Sequence, residues 1–413
     1  MKKVEARNLD EVSRLCRASE FATSKLLPDG KFLVELMEEG EESGSDPRTV
    51  FVARDVSNDQ KLAALDQLIE SAGLFDLLTD KCQKQGKTPD QCKILIKTNL
   101  SPTVQKEHKS YTDPEIVDHL ADVLESRGFS VEIFETETMF LTFSPAFSPE
   151  ILSTRLDPPF RHPVRNLSAG PRQTVKWKKG ETYVSQELVN ADVVINAAKL
   201  KTQGEQWFSV ALKNMFGSLP HRDKMRQYHY KHSGFDVEDA TILANHATPV
   251  DFVVVDGVVA LDGNIRGVYK RIADEFFDAR TLFVGRDPLA IDKLLSIKMG
   301  MEENKSAVVR RMAEFRGDFE IASRPDLVVV KDMTPEGLCD VEDPDAKFER
   351  FVEPSGKVWR PTTAWHHWKE QTLNFRLPRA FRMTDNLMNR MMGGYLYTVL
   401  TDEEKRKACG QTS

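Results

Sequence analysis

The stretch Ala191–Gly217, ADVVINAAKLKTQGEQWFSVALKNMFG, changes its hydrophobic period partway along. From Ala191 to Ala198 it is almost continuously apolar, the pattern of a strand covered on both faces, as in a parallel sheet. Beyond Gly204 the spacing of Trp207, Phe208, Ala211, Leu212, Met215 and Phe216 predicts one apolar helical stripe, with Gly217 placed to end the helix in the left-handed conformation. A buried strand that turns at glycine into an amphipathic helix is a building unit of α/β folds. The same stretch gathers charge: Lys199 and Lys201 close the strand, and Lys213 falls roughly opposite the helical stripe.

Similar apolar runs recur on either side: TVFVARDV from Thr49, KILIKTNL from Lys93, VEIFE from Val131, DFVVVDGVVAL from Asp251, TLFVGRD from Thr281 and DLVVV from Asp326. Helical patterns lie between them. NDQKLAALDQLIESAGLFDLL follows the first, and TDPEIVDHLADVLESRG precedes the third, with Thr112 or Asp113 as cap, Pro114 in the first turn and Gly128 as the stop. The alternation predicts an α/β fold, mostly parallel in its sheets, with crossover helices; a two-lobed arrangement is a further expectation, not one the alternation requires. Two stretches break the rhythm. Residues 141–180 are rich in proline and basic residues and read as a long excursion or lid, not a buried element. After Pro335, aromatic and methionine positions suit helices packed on the main body. The expected organisation is an N-terminal extension over 1–48, an α/β domain over 49–333 carrying that insertion, and a C-terminal helical extension over 334–413.

At 413 residues the chain exceeds what one hydrophobic core usually organises, which fits a large α/β domain with additions. Its 57 basic and 64 acidic residues leave a net charge of -7, so no overall positive field attracts a polyanion, and nucleic acid is disfavoured as a partner. The opening MKKVEARNLDEVSRLC is polar at once, and no stretch reaches the roughly 18 uninterrupted apolar residues of a membrane span. The expectation is a cytoplasmic chain with no membrane partner. Cys16, Cys82, Cys92, Cys339 and Cys409 stand far apart with no C-x-x-C pair, so neither a zinc ribbon nor a ferredoxin-type cluster is encoded locally.

In an open α/β sheet, ligands bind beyond the carboxyl ends of the strands, where loops and helix N-termini converge. Lys97 and Asn99 close KILIKTNL, and a period of two puts both on one face. Lys199 and Lys201 close their strand by the same arithmetic, and an apolar strand ending in K-x-K before a glycine-bounded turn suits an anion clamp. Lys213 is either a solvated lysine or part of a polar pocket. Asp256 sits in VVVDG. Asp287, after LFVG, either caps the helix that Pro288 begins or joins the site. HRDKMRQYHYKHSG places Lys224 close to His229 and His232, whose spacing of three suits one helical face and either a metal or proton transfer. DGVVALDGNIRG offers glycines and Asp262 for close approach of a phosphate or cation. No G-x-G-x-x-G, Walker loop or G-x-S-x-G is present, and Trp365–Trp368, WHHW, reads as packing.

Taken in order, KILIKTNL, TDPEIVDHL, ADVVINAAKLKT, ALKNMFG, then Lys224 and His229, VVVDG and GRDPLAIDKLL resemble the successive motifs of the domain-of-unknown-function 362 family, over roughly residues 50 to 300. The resemblance implies an α/β fold, and many members of that family carry a ferredoxin-like cysteine segment and are described as iron–sulfur proteins. This chain departs in two ways. It lacks that segment, so an iron–sulfur cluster is not expected, and its K-x-K turn continues as KTQ where the family pattern leads to a histidine; Gln203 cannot titrate. A more distant similarity is to lactate racemase-like proteins, whose two α/β lobes enclose a lysine and histidine site with a nickel-pincer nucleotide. That similarity brings a divalent metal or a nickel-pincer-type nucleotide into view as cofactor.

Two readings of function follow. In the first, the chain is an enzyme acting on a small anionic metabolite, a carboxylate or phosphate: Lys97, Asn99, Lys199 and Lys224 hold the anion, Lys201, Lys213, His229 and His232 do the chemistry, and Asp256 and Asp287 orient them or bind a cation. Isomerisation, redox chemistry with a bound cofactor, and ligase-like condensation all suit a cationic pocket. In the second, it is a non-catalytic ligand-binding or redox-partner protein that lacks the iron–sulfur segment. A weaker third makes Arg155, Arg161, Arg165, Arg172, Lys176, Lys178 and Lys179 a nucleic-acid arm.

Overall fold

The computed structural model describes residues 2–19, 22–36, 48–100, 109–137, 148–177, 180–203, 207–220, 224, 236–248, 250–262, 275–301, 306–318, 328–334 and 337–352. The first strands, β1 (Lys2–Ala6), β2 (Ala22–Leu26) and β3 (Phe32–Leu36), form a small antiparallel sheet with β3 in the middle. Next come β4 (Thr49–Ala53), β5 (Lys93–Lys97), β6 (Ser130–Glu135) and β7 (Val164–Asn166), then a separate ribbon of β8 (Arg172–Trp177) and β9 (Gly180–Ser185). The remainder are β10 (Val193–Gln203), β11 (Trp207–Phe208), β12 (Phe252–Asp262), β13 (Glu275–Phe277), β14 (Thr281–Gly285), β15 (Val329–Thr334) and β16 (Gly337–Asp340).

Every apolar run named above becomes a strand of one 11-stranded sheet in the order β16-β15-β4-β14-β12-β10-β5-β6-β7, with β11 added to β10 and β13 to β12. The expected α/β class holds, and strands from both halves of the sequence join this one continuous sheet. Along its order all strands run the same way except β14 and β16. Both faces are buried, as unbroken apolarity requires. Val50, Val52, Leu95, Val194, Val253 and Val255 enter one core with helices Ala211–Phe216, Val237–Ala247, Pro288–Lys298 and Ala307–Arg316, while Phe51, Ile94, Ile96, Ile195 and Val254 enter the other with helices Lys61–Ser71, Leu74–Lys84 and Pro114–Ser126. Exposing either face would forfeit about 1.5–3 kcal/mol per large side chain, so neither face tolerates an alternating polar pattern.

Several local expectations change. The long helical pattern from Asn58 is two helices, because Gly73 takes a left-handed conformation, φ 67°, between them. Trp207 and Phe208 pair as β11 with Thr202 and Gln203 of β10, so the helix is only Ala211–Phe216. It starts where Asp292 accepts the backbone N–H groups of Ala211 (2.8 Å) and Leu212 (2.9 Å). Burial pushes that carboxyl up to about 7, outweighing the two backbone bonds. Within the 141–180 stretch, Leu152, Leu156, Phe160 and Val164 are buried, and Val164–Asn166 is the sheet's edge strand; its described part is structural, not a lid. The amino-terminal segment, expected as an extension, packs into the first core. Leu9, Val12, Phe32 and Val34 belong to the first core, and Ser24 Oγ lies 2.8 Å from His246 Nδ1. The chain after 334 begins with β16 and the short helix Pro344–Lys347, and the remainder of the expected helical extension, from 353, lies outside the described residues. Among the described residues, no helix is long and apolar enough to cross a membrane.

Candidate functional site

Because β5, β6, β10 and β12 are adjacent and parallel, their carboxyl ends meet at one edge, and the polar residues ending them meet there too. Lys97, at the end of β5, forms a 2.7 Å ion pair with Glu135 Oε1 at the end of β6 and donates to the Thr98 carbonyl at 2.6 Å. Glu135 also accepts the backbone N–H groups of Thr136 and Leu100, at 2.8 and 3.3 Å. Asn214, from the short helix after β11, ties the strands together: its Oδ1 accepts from Asn99 Nδ2 at 2.9 Å, and its Nδ2 donates to Asn196 Oδ1 at 2.7 Å. Lys201 Nζ donates to Asn99 Oδ1 at 2.7 Å and to the Ser110 carbonyl at 2.8 Å.

Lys199 and Lys201 diverge instead of sharing a clamp. The pairing register of β10 with β12 shifts between them, Lys199 lying opposite Asp256 and Lys201 opposite Leu261. Lys199 Nζ bonds Asp256 Oδ2 at 2.7 Å, and the same oxygen accepts the backbone N–H of Asp113 at 2.9 Å. Lys224 reaches the group from the far side, donating to Thr136 Oγ1 (2.5 Å) and to the carbonyls of Glu137 (2.9 Å) and Gly217 (3.1 Å).

Lys97, Asn99, Lys199, Lys201, Lys224 and Asp256 are all buried. For Lys97, Lys201 and Lys224 water no longer stabilises the ammonium form, so their proton affinity falls. Burial, with the positive charge of Lys199 next, holds Lys201 well below the usual lysine range; Glu135 acts in the opposite sense. Burial pushes Lys97 down against the pull of Glu135, and brings Lys224 down to about 7.

Beside the buried group opens a small cavity of about 80 Å³, walled by Lys61, Lys109, Tyr111, Glu115, Lys199 and Asp256. Lys61 is itself buried and bonds Asp113 Oδ2 (2.7 Å) and Glu115 Oε2 (2.5 Å). Lys199 and Asp256, bonded to each other, thus form part of the cavity wall.

Other expected members stand apart. Lys213 is partly exposed, its ammonium 3.8 Å from the centre of the Phe216 ring. Asp287 is at the opposite edge of the sheet: β14 runs antiparallel to β12, so its carboxyl end meets the amino end of its neighbour. There Asp287 caps helix Pro288–Lys298 and pairs with Arg316 at 2.7 Å. Asp262 bonds Thr202 Oγ1 at 2.9 Å. His229, His232, Trp365–Trp368, Lys178 and Lys179 lie outside the described residues. Of the supposed nucleic-acid arm, Arg161 faces Asp122, Arg165 faces Glu132 and Glu187, and Lys176 faces Glu181, so acidic neighbours offset its charge.

Sequence reasoning missed Glu135, Asn214 and Lys61. Glu135 had a usable signal, since it ends the VEIFE strand beside KILIKTNL; Lys61 had none, being one lysine in an amphipathic helix. Gly217 was expected in the left-handed conformation but has φ −58°. It is required for space: a Cβ there would stand 2.9 Å from Lys97 Nζ and 3.1 Å from Glu135 Oε1.

The described cysteines do not offer the four converging thiolates of an iron–sulfur cluster. Cys16 lies in one core, Cys82 and Cys92 in the other, and Cys339 is exposed on β16. Residues 94–296, which contain the whole buried lysine group, match the family described as Domain of unknown function (DUF362). A curated relative, Thylakoid-associated protein sll1697 of Synechocystis sp., is 26% identical over 185 residues, covering 42% of this chain and 53% of that protein. The chain thus matches about half the length of that relative.

Proposed function

Residues 94–296 place this chain in the DUF362 family, and from that premise we propose that it is an enzyme acting on a small carboxylate- or phosphate-bearing metabolite at the carboxyl edge of its parallel strands. The observation that carries the proposal is the burial of four lysines, Lys97, Lys199, Lys201 and Lys224, at one edge of the sheet, Lys199 turned to Asp256 and Lys201 to Asn99. Burial disfavours the ammonium forms of Lys201 and Lys224. In its charged form such a lysine binds an arriving anion, and in its neutral form it is a base or nucleophile.

Within this reading Lys97 is fixed by Glu135, and Asp256 holds Lys199 at the cavity wall. Lys201 and Lys224 are the groups that exchange a proton with the bound metabolite, and Asn99 orients Lys201. His229 and His232 remain proton carriers in the proposal, and Lys213 a peripheral charge, on the strength of the sequence. Proton-transfer isomerisation suits these residues by themselves. A divalent metal or nucleotide cofactor would add redox or hydride chemistry, and no step above depends on it. The proposal keeps the chain cytoplasmic, anion-binding and without an iron–sulfur cluster.

Native mass spectrometry with elemental analysis, on protein purified from its own host, tests this. A carboxylate or phosphate compound should accompany the wild type and be lost from Lys201→Met, a variant of similar volume, with little change in melting temperature. If the wild type carries no such compound and a metabolite library neither shifts its melting nor is converted, the proposal fails. Retention without turnover would favour the non-catalytic binding protein.

A further inference from the structure

Away from that crevice, we propose that Asp122, Glu125 and His162 form a site for a divalent transition metal, zinc fitting best. Asp122 and Glu125 are three apart on helix Pro114–Ser126 and so face the same way, and His162 approaches them from the segment before β7. His162 Nε2 stands 3.4 Å from Asp122 Oδ1 and 3.5 Å from Glu125 Oε2, and the three ligand atoms lie within 4.8 Å of one another. Those two separations exceed the about 2.7–3.2 Å of an ordinary N–H···O bond. They are ion-pair separations that also come close to the edge of a tetrahedron, since zinc–ligand distances of about 2.0–2.1 Å put neighbouring ligand atoms about 3.3–3.4 Å apart.

The other ring nitrogen supplies an independent argument. His162 Nδ1 lies 3.0 Å from Oδ1 of Asp118, a buried carboxylate that also accepts the backbone N–H groups of Arg161 (2.8 Å) and His162 (3.1 Å). Asp118 thus takes up Nδ1 and turns the other ring nitrogen, Nε2, toward Asp122 and Glu125. A buried carboxylate behind a histidine is the support that metal-binding imidazoles use to fix their tautomer and orientation. Arg161 Nη2 bonds the other oxygen of Asp122, Oδ2, at 2.5 Å, which leaves Oδ1 for the ion. The partly exposed position leaves a fourth place for water.

Full-length protein, stripped with chelator and carrying His229→Ala and His232→Ala to exclude those histidines, is titrated with zinc by calorimetry and with cobalt by visible absorption. One saturable site is expected, with tetrahedral cobalt bands. His162→Ala and Asp122→Asn should weaken zinc binding more than tenfold, and Asp118→Asn about tenfold through orientation alone. His162→Gln serves if the alanine variant folds poorly, and alkylating the thiols should leave the site intact. Absence of saturable binding, or zinc affinity unchanged in His162→Ala and His162→Gln, overturns the assignment. Either result leaves the lysine crevice untouched.

Discussion

The Lys97 ammonium lies 2.7 Å from Glu135 Oε1 across the ends of adjacent parallel strands, with both side chains sealed from solvent. Such a pair contributes little relative to an apolar pair of the same size, yet loss of one partner leaves a bare buried charge. Glu135→Gln should therefore destabilise the fold by about 3–5 kcal/mol, measured by urea denaturation. The double change Lys97→Met with Glu135→Leu should recover most of that loss. A Glu135→Gln variant as stable as the wild type would mean that Lys97 is already neutral.

Gly217 tests how tightly the helix Ala211–Phe216 is drawn onto that pair. The Cβ of Gly217→Ala would meet the Asn214 carbonyl and Lys97 Nζ, both at 2.9 Å. Backbone cannot yield as a flexible side chain can, so a loss of about 1–3 kcal/mol is expected. Thermal melting reads it, and an unchanged midpoint would show the turn to be more yielding than its geometry implies.

Lys224 should give the fold a characteristic pH dependence. Burial drives its ammonium down to about 7, against the pull of Glu135 and Glu137 and with the push of Lys97 and Lys213. An unfolded lysine titrates near about 10.4, so between these values the unfolded chain binds more protons and stability rises with pH, by up to about 1.4 kcal/mol per unit. Below about 7 the penalty is complete and the slope disappears. Denaturation of wild type and Lys224→Met from about pH 6 to about pH 9.5 isolates the effect, because the variant lacks it. A difference between the two that stays flat over that range contradicts a neutral Lys224.

Asp287 separates stability from the site. Asp287→Asn leaves the largely buried Arg316 without its 2.7 Å partner and should cost about 3 kcal/mol. Ligand retention measured below the melting transition should stay at the wild-type level, because Asp287 sits at the opposite edge of the sheet from Lys201. A selective loss of ligand would place it back in the site.

How much of this was legible before folding depends on the range of the interaction concerned. Unbroken apolar runs require strands covered on both faces, and caps such as Asp113 with Pro114, or Asp287 with Pro288, mark helix starts through their immediate neighbours; these are local effects, and the sequence alone determined them. It also placed Lys97, Asn99, Lys199 and Lys201 toward the carboxyl ends of β5 and β10, although β5 stops at Lys97 and β10 runs on past Lys199 and Lys201 to Gln203. Their partners were decided only by the tertiary structure. Glu135, Asn214 and Asp256 come from elements distant in sequence, and strand order and register alone bring them to hydrogen-bond distance. Strand direction was decided in the same way: VVVDG and LFVGRD read alike as apolar strands ending in aspartate. Antiparallel pairing of β14 with β12 and β4 sends Asp287 to one edge while Asp256 stays with the lysines at the other, because an apolar strand buries the same surface whichever way it runs.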